Sequence, residues 1–198
     1  MKIGIVVYTL LIGFALSAQM SEDEILEHRA AHSKGLMDPE KKVLRQDEIE
    51  EFGGLDYFQF DSTYQITATF KKSKGKKFEM PTSTERLPVY RRYGYITFQH
   101  ENHTCTLEVY QNIALKRKKQ YRKSLFIPFR DKTSRRETYG GGRYLDVQIP
   151  DGEMMHLDFN LAYNPYCAYS HRYSCPIPPE ENTLNVSILA GEKTPLAH

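Results

Sequence analysis

Residues 143–160 read RYLDVQIPDGEMMHLDFN, two alternating runs joined by a turn signal. Pro150 presets φ for the first turn position, Asp151 suits the second, and Gly152 supplies a left-handed third. The expected product is a three-residue hairpin loop with a glycine bulge. That register pairs Ile149 with Glu153 and sets Val147 against Met155, Asp146 against His156, Leu145 against Leu157 and Tyr144 against Asp158. Side chains in a strand alternate with period two, so the same register sorts them onto two faces. Leu145, Val147, Met155, Leu157 and Phe159 form an apolar face. Tyr144, Asp146, His156, Asp158 and Asn160 form a polar one. A two-residue turn would oppose Asp146 with Leu157 and mix the faces. The segment is therefore committed to antiparallel sheet.

The same period recurs from about Tyr57 onward. Tyr64, Ile66, Ala68 and Phe70 alternate with Gln65, Thr67 and Thr69. After a turn at Lys74-Gly75-Lys76, further strands are expected at 77–82, 89–99, 104–111, 125–129 and 186–190, with a hairpin around Glu101-Asn102. Fourteen tyrosines and no tryptophan suit half-exposed pleated surface. Ahead of the strands, Ser21 and Glu24 make a capping box, which predicts a helix from Glu22 to about His32. Asp38-Pro39 opens a second helical stretch to about Phe52, with a break near Arg45 and a stop at Gly53-Gly54. The fold class is mainly β: a single antiparallel β-sandwich or partly open barrel with a short N-terminal helical layer (helices about 22–52, strands from about 57). A chain of 198 residues without a long linker or repeat suits one domain.

Residues 1–18 read as a signal peptide. Lys2 precedes an apolar run from Ile3 to Leu16, and small residues follow at Ala15, Ser17 and Ala18. The run is short for a membrane span. Residues 19–198 are then the mature, exported domain, periplasmic or secreted, with no stable membrane insertion. A net charge of +2 selects no partner class. The basic clusters at 71–77 and 116–123 read as solvated loops or protected sheet edges, so nucleic acid is not expected as a partner. No GxSxG, HExxH or P-loop signature occurs, and no cofactor is expected.

Chemistry concentrates between Phe126 and Pro179. Thr138-Tyr139-Gly140-Gly141-Gly142-Arg143 allows successive N–H groups to converge on an anion beside a guanidinium. The same glycines also suit a tight bend where two backbones approach. On the polar hairpin face, Asp146 beside His156 has the geometry of an acid–base pair, or of an ordinary wet sheet face. Cys167 and Cys175 bracket a proline-stiffened loop, and an exported chain would bridge them. Cys105, in a strand, is expected to be a buried free thiol. A metal site of Cys167, His171 and Cys175 lacks a fourth ligand and fits no zinc spacing.

The stretches PFRDKTS, ETYGGGRYLD, LDFNLAYNPYCAYS, YSCPIPPEEN and ILAGEK, with weaker similarity back through FGGLDYFQFDSTYQITATF, resemble the domain-of-unknown-function family 1684 of bacterial and archaeal proteins. The resemblance covers most of the mature chain. Tyr139, Gly140, Arg143, Asp146, Asp158, Asn160, Tyr163, Asn164, Cys167 and Cys175 match its motifs; His156 and His171 do not. At Ser134-Arg135-Arg136 this chain departs from a glycine typical of the family, which puts a tight turn there in question. The family implies no activity. The expectation is a non-enzymatic domain binding a polar or anionic small ligand or glycan, through Tyr139, Gly140, Gly141, Gly142, Arg143, Tyr144, Asp146, Asp158, Asn160, Tyr163 and Asn164. The alternative is a hydrolase using Asp146 and Asp158 as acid and base.

Overall fold

A computed structural model describes residues 19–196. The expected signal segment, 1–18, lies outside the described residues. Helix α1 spans Glu22–Met37 and is closed by the anticipated capping box. Ser21 Oγ accepts the Glu24 N–H at 3.3 Å, and the Glu24 carboxylate accepts the Ser21 N–H at 2.7 Å. Asp38-Pro39 does not open a helix. The Asp38 carboxylate accepts the Glu40 N–H at 2.9 Å, and its carbonyl accepts those of Lys41 and Lys42. These bonds close a turn before a shorter α2 at Gln46–Glu51.

The strands are β1 Gln65–Lys72, β2 Lys77–Glu79, β3 Val89–His100, β4 His103–Asn112, β5 Ser124–Phe129, β6 Arg143–Gln148 and β7 Met154–Asp158. They form one antiparallel sheet in the order β6-β5-β4-β3-β1-β7, with β2 added along the start of β3. The sheet curls into a half-barrel, the partly open form of the expected class. The curl is a matter of reach. Six adjacent strands laid flat would span roughly 24 Å, while the link from Gln148 to Met154 extends to at most about 21 Å. Since β6 and β7 sit at opposite ends of the order, only a curved sheet lets that link close.

This corrects the hairpin. β6 pairs with β5, Asp146 opposite Phe126 and Leu145 opposite Ile127; β7 pairs with β1, His156 opposite Thr67 and Leu157 opposite Ile66. Asp146 and His156 are not neighbours. The backbone at both ends of the link is taken by those outer strands: Ile149 N–H donates to Lys123 O at 2.8 Å, and Phe70 N–H donates to Glu153 O at 2.6 Å. Gly152 does not adopt the left-handed φ that the bulged turn required. The alternation within each strand is as expected. Leu145, Met155, Leu157 and Phe159 enter the main core with Val147 packed against it, while Tyr144 and Asp146 point to the other face of their strand.

That core joins Ile96, Leu107, Ile127 and Phe129 to Leu184, Val186, Ile188 and Ala190. The last four alternate as a strand would, yet residues 186–190 form none. The carbonyls of Ile188 and Ala190 are instead taken by the Arg143 guanidinium, buried beneath them. A side chain here does the work of a neighbouring strand.

Candidate functional site

The outer face of β5 and β6 is partly covered. Ser124, Phe126, Tyr144 and Asp146 line a cavity of about 600 Å3. Its other walls are Tyr90 of β3, Asn112 of β4, the 163–176 segment through Tyr163, Tyr166 and Cys175, and α1 through His28 and His32. The size suits a small organic ligand. A backbone bridge between Tyr144 and Tyr163 brings the segment after β7 back onto β6, and so sets Tyr163 beside Asp146. The Tyr144 hydroxyl donates to Pro176 O and fixes the roof. Rings run in sequence from Tyr90 to Phe126, Tyr144 and Tyr163, with centroids 5.7, 4.7 and 5.7 Å apart.

Asp146 is the acid of this cavity. Tyr163 donates to its Oδ2 at 2.7 Å. Asp146 is exposed where it lines the cavity, yet the protein packed around it partly desolvates the carboxylate and raises its pKa, opposed by the Tyr163 hydrogen bond. The Tyr163 phenol is pushed up in turn, by burial and by the Asp146 charge. On the facing helix, partial burial and then the neighbouring His32 and Arg29 lower the pKa of His28. His32 Nδ1 lies 2.9 Å from Oε1 of Glu192, whose side chain is fully buried. That contact orients the imidazole and leaves Nε2 as its remaining nitrogen. Its ring meets the Tyr163 ring edge-on at 5.9 Å.

The other expected site residues are placed elsewhere. Arg143 is 1% exposed, forms an ion pair with Asp131 at 2.7 Å, and donates to the carbonyls of Ile188, Ala190 and Glu192. Its guanidinium is committed to the core. The glycines beside it serve close packing: Gly142 has φ +92°, and a Cβ there would stand 2.7 Å from Phe129 O. A Cβ on Gly140 or Gly141 would press on the side chains of Arg135 and Tyr139. Asp158 caps the turn at Phe159–Leu161 and accepts from Gln65 Nε2 at 2.8 Å. Asn160 is fully buried, holding the backbone of Asp61 on both sides. Asn164 is equally buried; it donates to Tyr169 Oη and Lys193 O, and its own N–H donates to Glu192. At the questioned turn, Arg135 itself adopts φ +70°, so the bend persists with arginine in the left-handed position.

The expected Cys167–Cys175 bridge is absent, and all three cysteines are free. The two are neighbours nonetheless. The Cys167 N–H donates to Cys175 Sγ at 3.3 Å, and the Tyr139 hydroxyl lies 3.9 Å from Cys167 Sγ. Hydrogen bonding from the Cys175 thiol brings Cys167 down to about 6, while Cys175 is pushed well above the thiol range. Cys105 is buried, as expected. Tyr139 packs in a second cluster with Leu36, Ala168 and Tyr169. Among the described residues no acidic, His or Cys group is arranged to hold a metal.

Sequence reasoning missed Tyr90, Phe126 and Tyr166 as cavity walls, and both histidines of α1. His28 and His32 are spaced i, i+4, which sets them on one helix face; that signal was present, but nothing local said what the face would meet.

Residues 50–193 match the sequence profile of a family described as protein of unknown function (DUF1684). The fold is similar to the solution NMR structure of an uncharacterised protein from Haloarcula marismortui, at 33% identity and a TM-score of 0.67, covering 89% of this chain and 96% of that one. No curated protein matches the chain.

Proposed function

The chain belongs to the family of proteins of unknown function DUF1684, and from that premise we propose that it is a small-molecule-binding protein whose ligand occupies the cavity over β5 and β6. One observation carries this reading. Asp146 sits in a preformed aromatic cavity, its pKa raised by burial, with one hydrogen bond from Tyr163. A carboxylate kept in such surroundings costs stability, a burden typical of binding and catalytic sites. The apolar run at 3–16 and the small residues before Gln19 support export of the domain, which a mature N-terminus at Gln19 would verify.

The experiment is a thermal-shift screen of small molecules against the wild type and Ser124→Phe, which puts a ring into the cavity. Ligands of this site raise the wild-type midpoint and lose that effect in the variant. Ligands that stabilise both equally would overturn the assignment. A second reading, acid–base catalysis by Asp146, is favoured by its raised pKa and by the Glu192-held His32 on the facing helix. Incubation separates the two: a bound ligand recovered unchanged supports binding, and a transformed one supports turnover that Asp146→Asn abolishes.

A further inference from the structure

The cavity walls carry a charge pattern that selects among ligands. Asp146 is the carboxylate among the lining residues, and no lysine or arginine is among them. Among the described residues no cation pairs with Asp146; its partner is the neutral Tyr163 hydroxyl. The histidines do not fill that role. Burial lowers His28, and His32 already faces its own carboxylate, Glu192, at 2.9 Å. An anion entering here would meet a carboxylate and no fixed cation. A cation would meet a carboxylate that has no cationic partner and is bordered by aromatic rings.

The rings point the same way. Phe126 and Tyr144 are inclined at 75°, and Tyr144 and Tyr163 at 89°. Rings so turned line the cavity in different orientations, the kind of wall on which an ammonium group can find ring faces. Tyr90 extends the wall on one side, and Tyr166 adds another ring at the rim. A cavity of about 600 Å3 exceeds what a bare ammonium needs, so an apolar body accompanies the charge.

From these observations we infer that the ligand is an organic monocation, an amine or quaternary ammonium on an aryl or branched alkyl body, with its charge beside Asp146 and its methyl or methylene groups against the tyrosines. This rests on the cavity being the ligand site. It replaces the anionic ligand expected from Arg143, whose guanidinium is spent on Asp131 and three carbonyls.

The test compares three probes built on one benzyl group by calorimetric titration: benzyltrimethylammonium, its uncharged, water-soluble near-isostere 2-methyl-1-phenylpropan-2-ol, and 3-phenylpropanoate. The cation is expected to bind at least about tenfold tighter than the isostere, the preference that one ring contact and one carboxylate supply. Asp146→Asn and, separately, Tyr166→Leu at the rim should each reduce that preference, and Asp146→Asn should bring it close to unity. Equal binding of the cation and the isostere, with both lost in Ser124→Phe, overturns the cationic class and leaves the cavity as the ligand site. Tighter binding of the carboxylate overturns the class in favour of an anion. Failure of all three at millimolar concentration overturns both the class and the site.

Discussion

Replacing Arg143 with methionine separates a structural role from a ligand-binding one. The substitution keeps the apolar stem and removes the guanidinium, which is 1% exposed and bonded to the Asp131 carboxylate at 2.7 Å and to the carbonyls of Ile188, Ala190 and Glu192. Removing one partner of a buried ion pair costs about 3–5 kcal/mol. Each orphaned buried carbonyl adds about 1–3 kcal/mol where it cannot relax toward water. The terms overlap, and methionine recovers some packing, so the expected loss is roughly 4–6 kcal/mol. That is a large fraction of the stability of a typical domain, about 5–15 kcal/mol. In urea, with a slope of roughly 2 kcal/mol per molar, the midpoint falls by at least about 2 M. Equilibrium unfolding followed by far-ultraviolet circular dichroism reads this directly. The paired variant Arg143→Met with Asp131→Asn should regain part of the loss, because the stranded charge is gone while the amide oxygen still accepts from the Thr133 N–H and hydroxyl. A single-variant loss below about 1.5 kcal/mol, half or less of what breaking a buried ion pair costs, would refute the argument. So would a paired variant less stable than the single one.

Three further outcomes follow from the geometry. Asp146 has a folded pKa above its unfolded value, so its favourable contribution is complete below the unfolded pKa and is lost as pH rises through the folded one. Asp146→Asn should therefore melt higher than the wild type at pH 7, with the gap closing below about pH 4; a variant less stable at pH 7 contradicts the desolvation argument. Cys167 should be alkylated by iodoacetamide ahead of Cys175 and Cys105, with a rate midpoint near its value of about 6, and Cys175→Ala should move that midpoint up toward the ordinary thiol range. An unchanged midpoint would show that Cys175 does not hold the thiolate. Arg135→Gly should stabilise by up to about 1 kcal/mol, because relief of the left-handed backbone outweighs the entropy glycine adds to the unfolded chain; a measured loss would show that the arginine side chain contributes more than the strain costs.

The face on which Asp146 lies was legible in the sequence; its neighbours were not. Period-two alternation is local, so it correctly set Leu145 and Leu157 toward the core and Tyr144 and Asp146 away from it. Strand partnership is a property of the whole sheet. A turn signal as strong as Pro150-Asp151-Gly152 failed because β5 and β1 offered ladders that closed the curl, and the link between β6 and β7 had only to span the gap. The same distinction accounts for the motifs. Asp131 in PFRDKTS, Arg143 in ETYGGGRYLD and Glu192 in ILAGEK all lie within distinctive stretches, and of the three only Arg143 was read as a binding residue. They are instead structural: Arg143 is held by the Asp131 carboxylate and the Glu192 carbonyl, while the Glu192 carboxylate accepts from Asn164 and Tyr169. A charged residue in a motif is therefore ambiguous until its partners are known. Arg143 has a carboxylate and three carbonyls within reach, and so is spent. Asp146 has a single phenol and an open cavity, and so retains the capacity to bind.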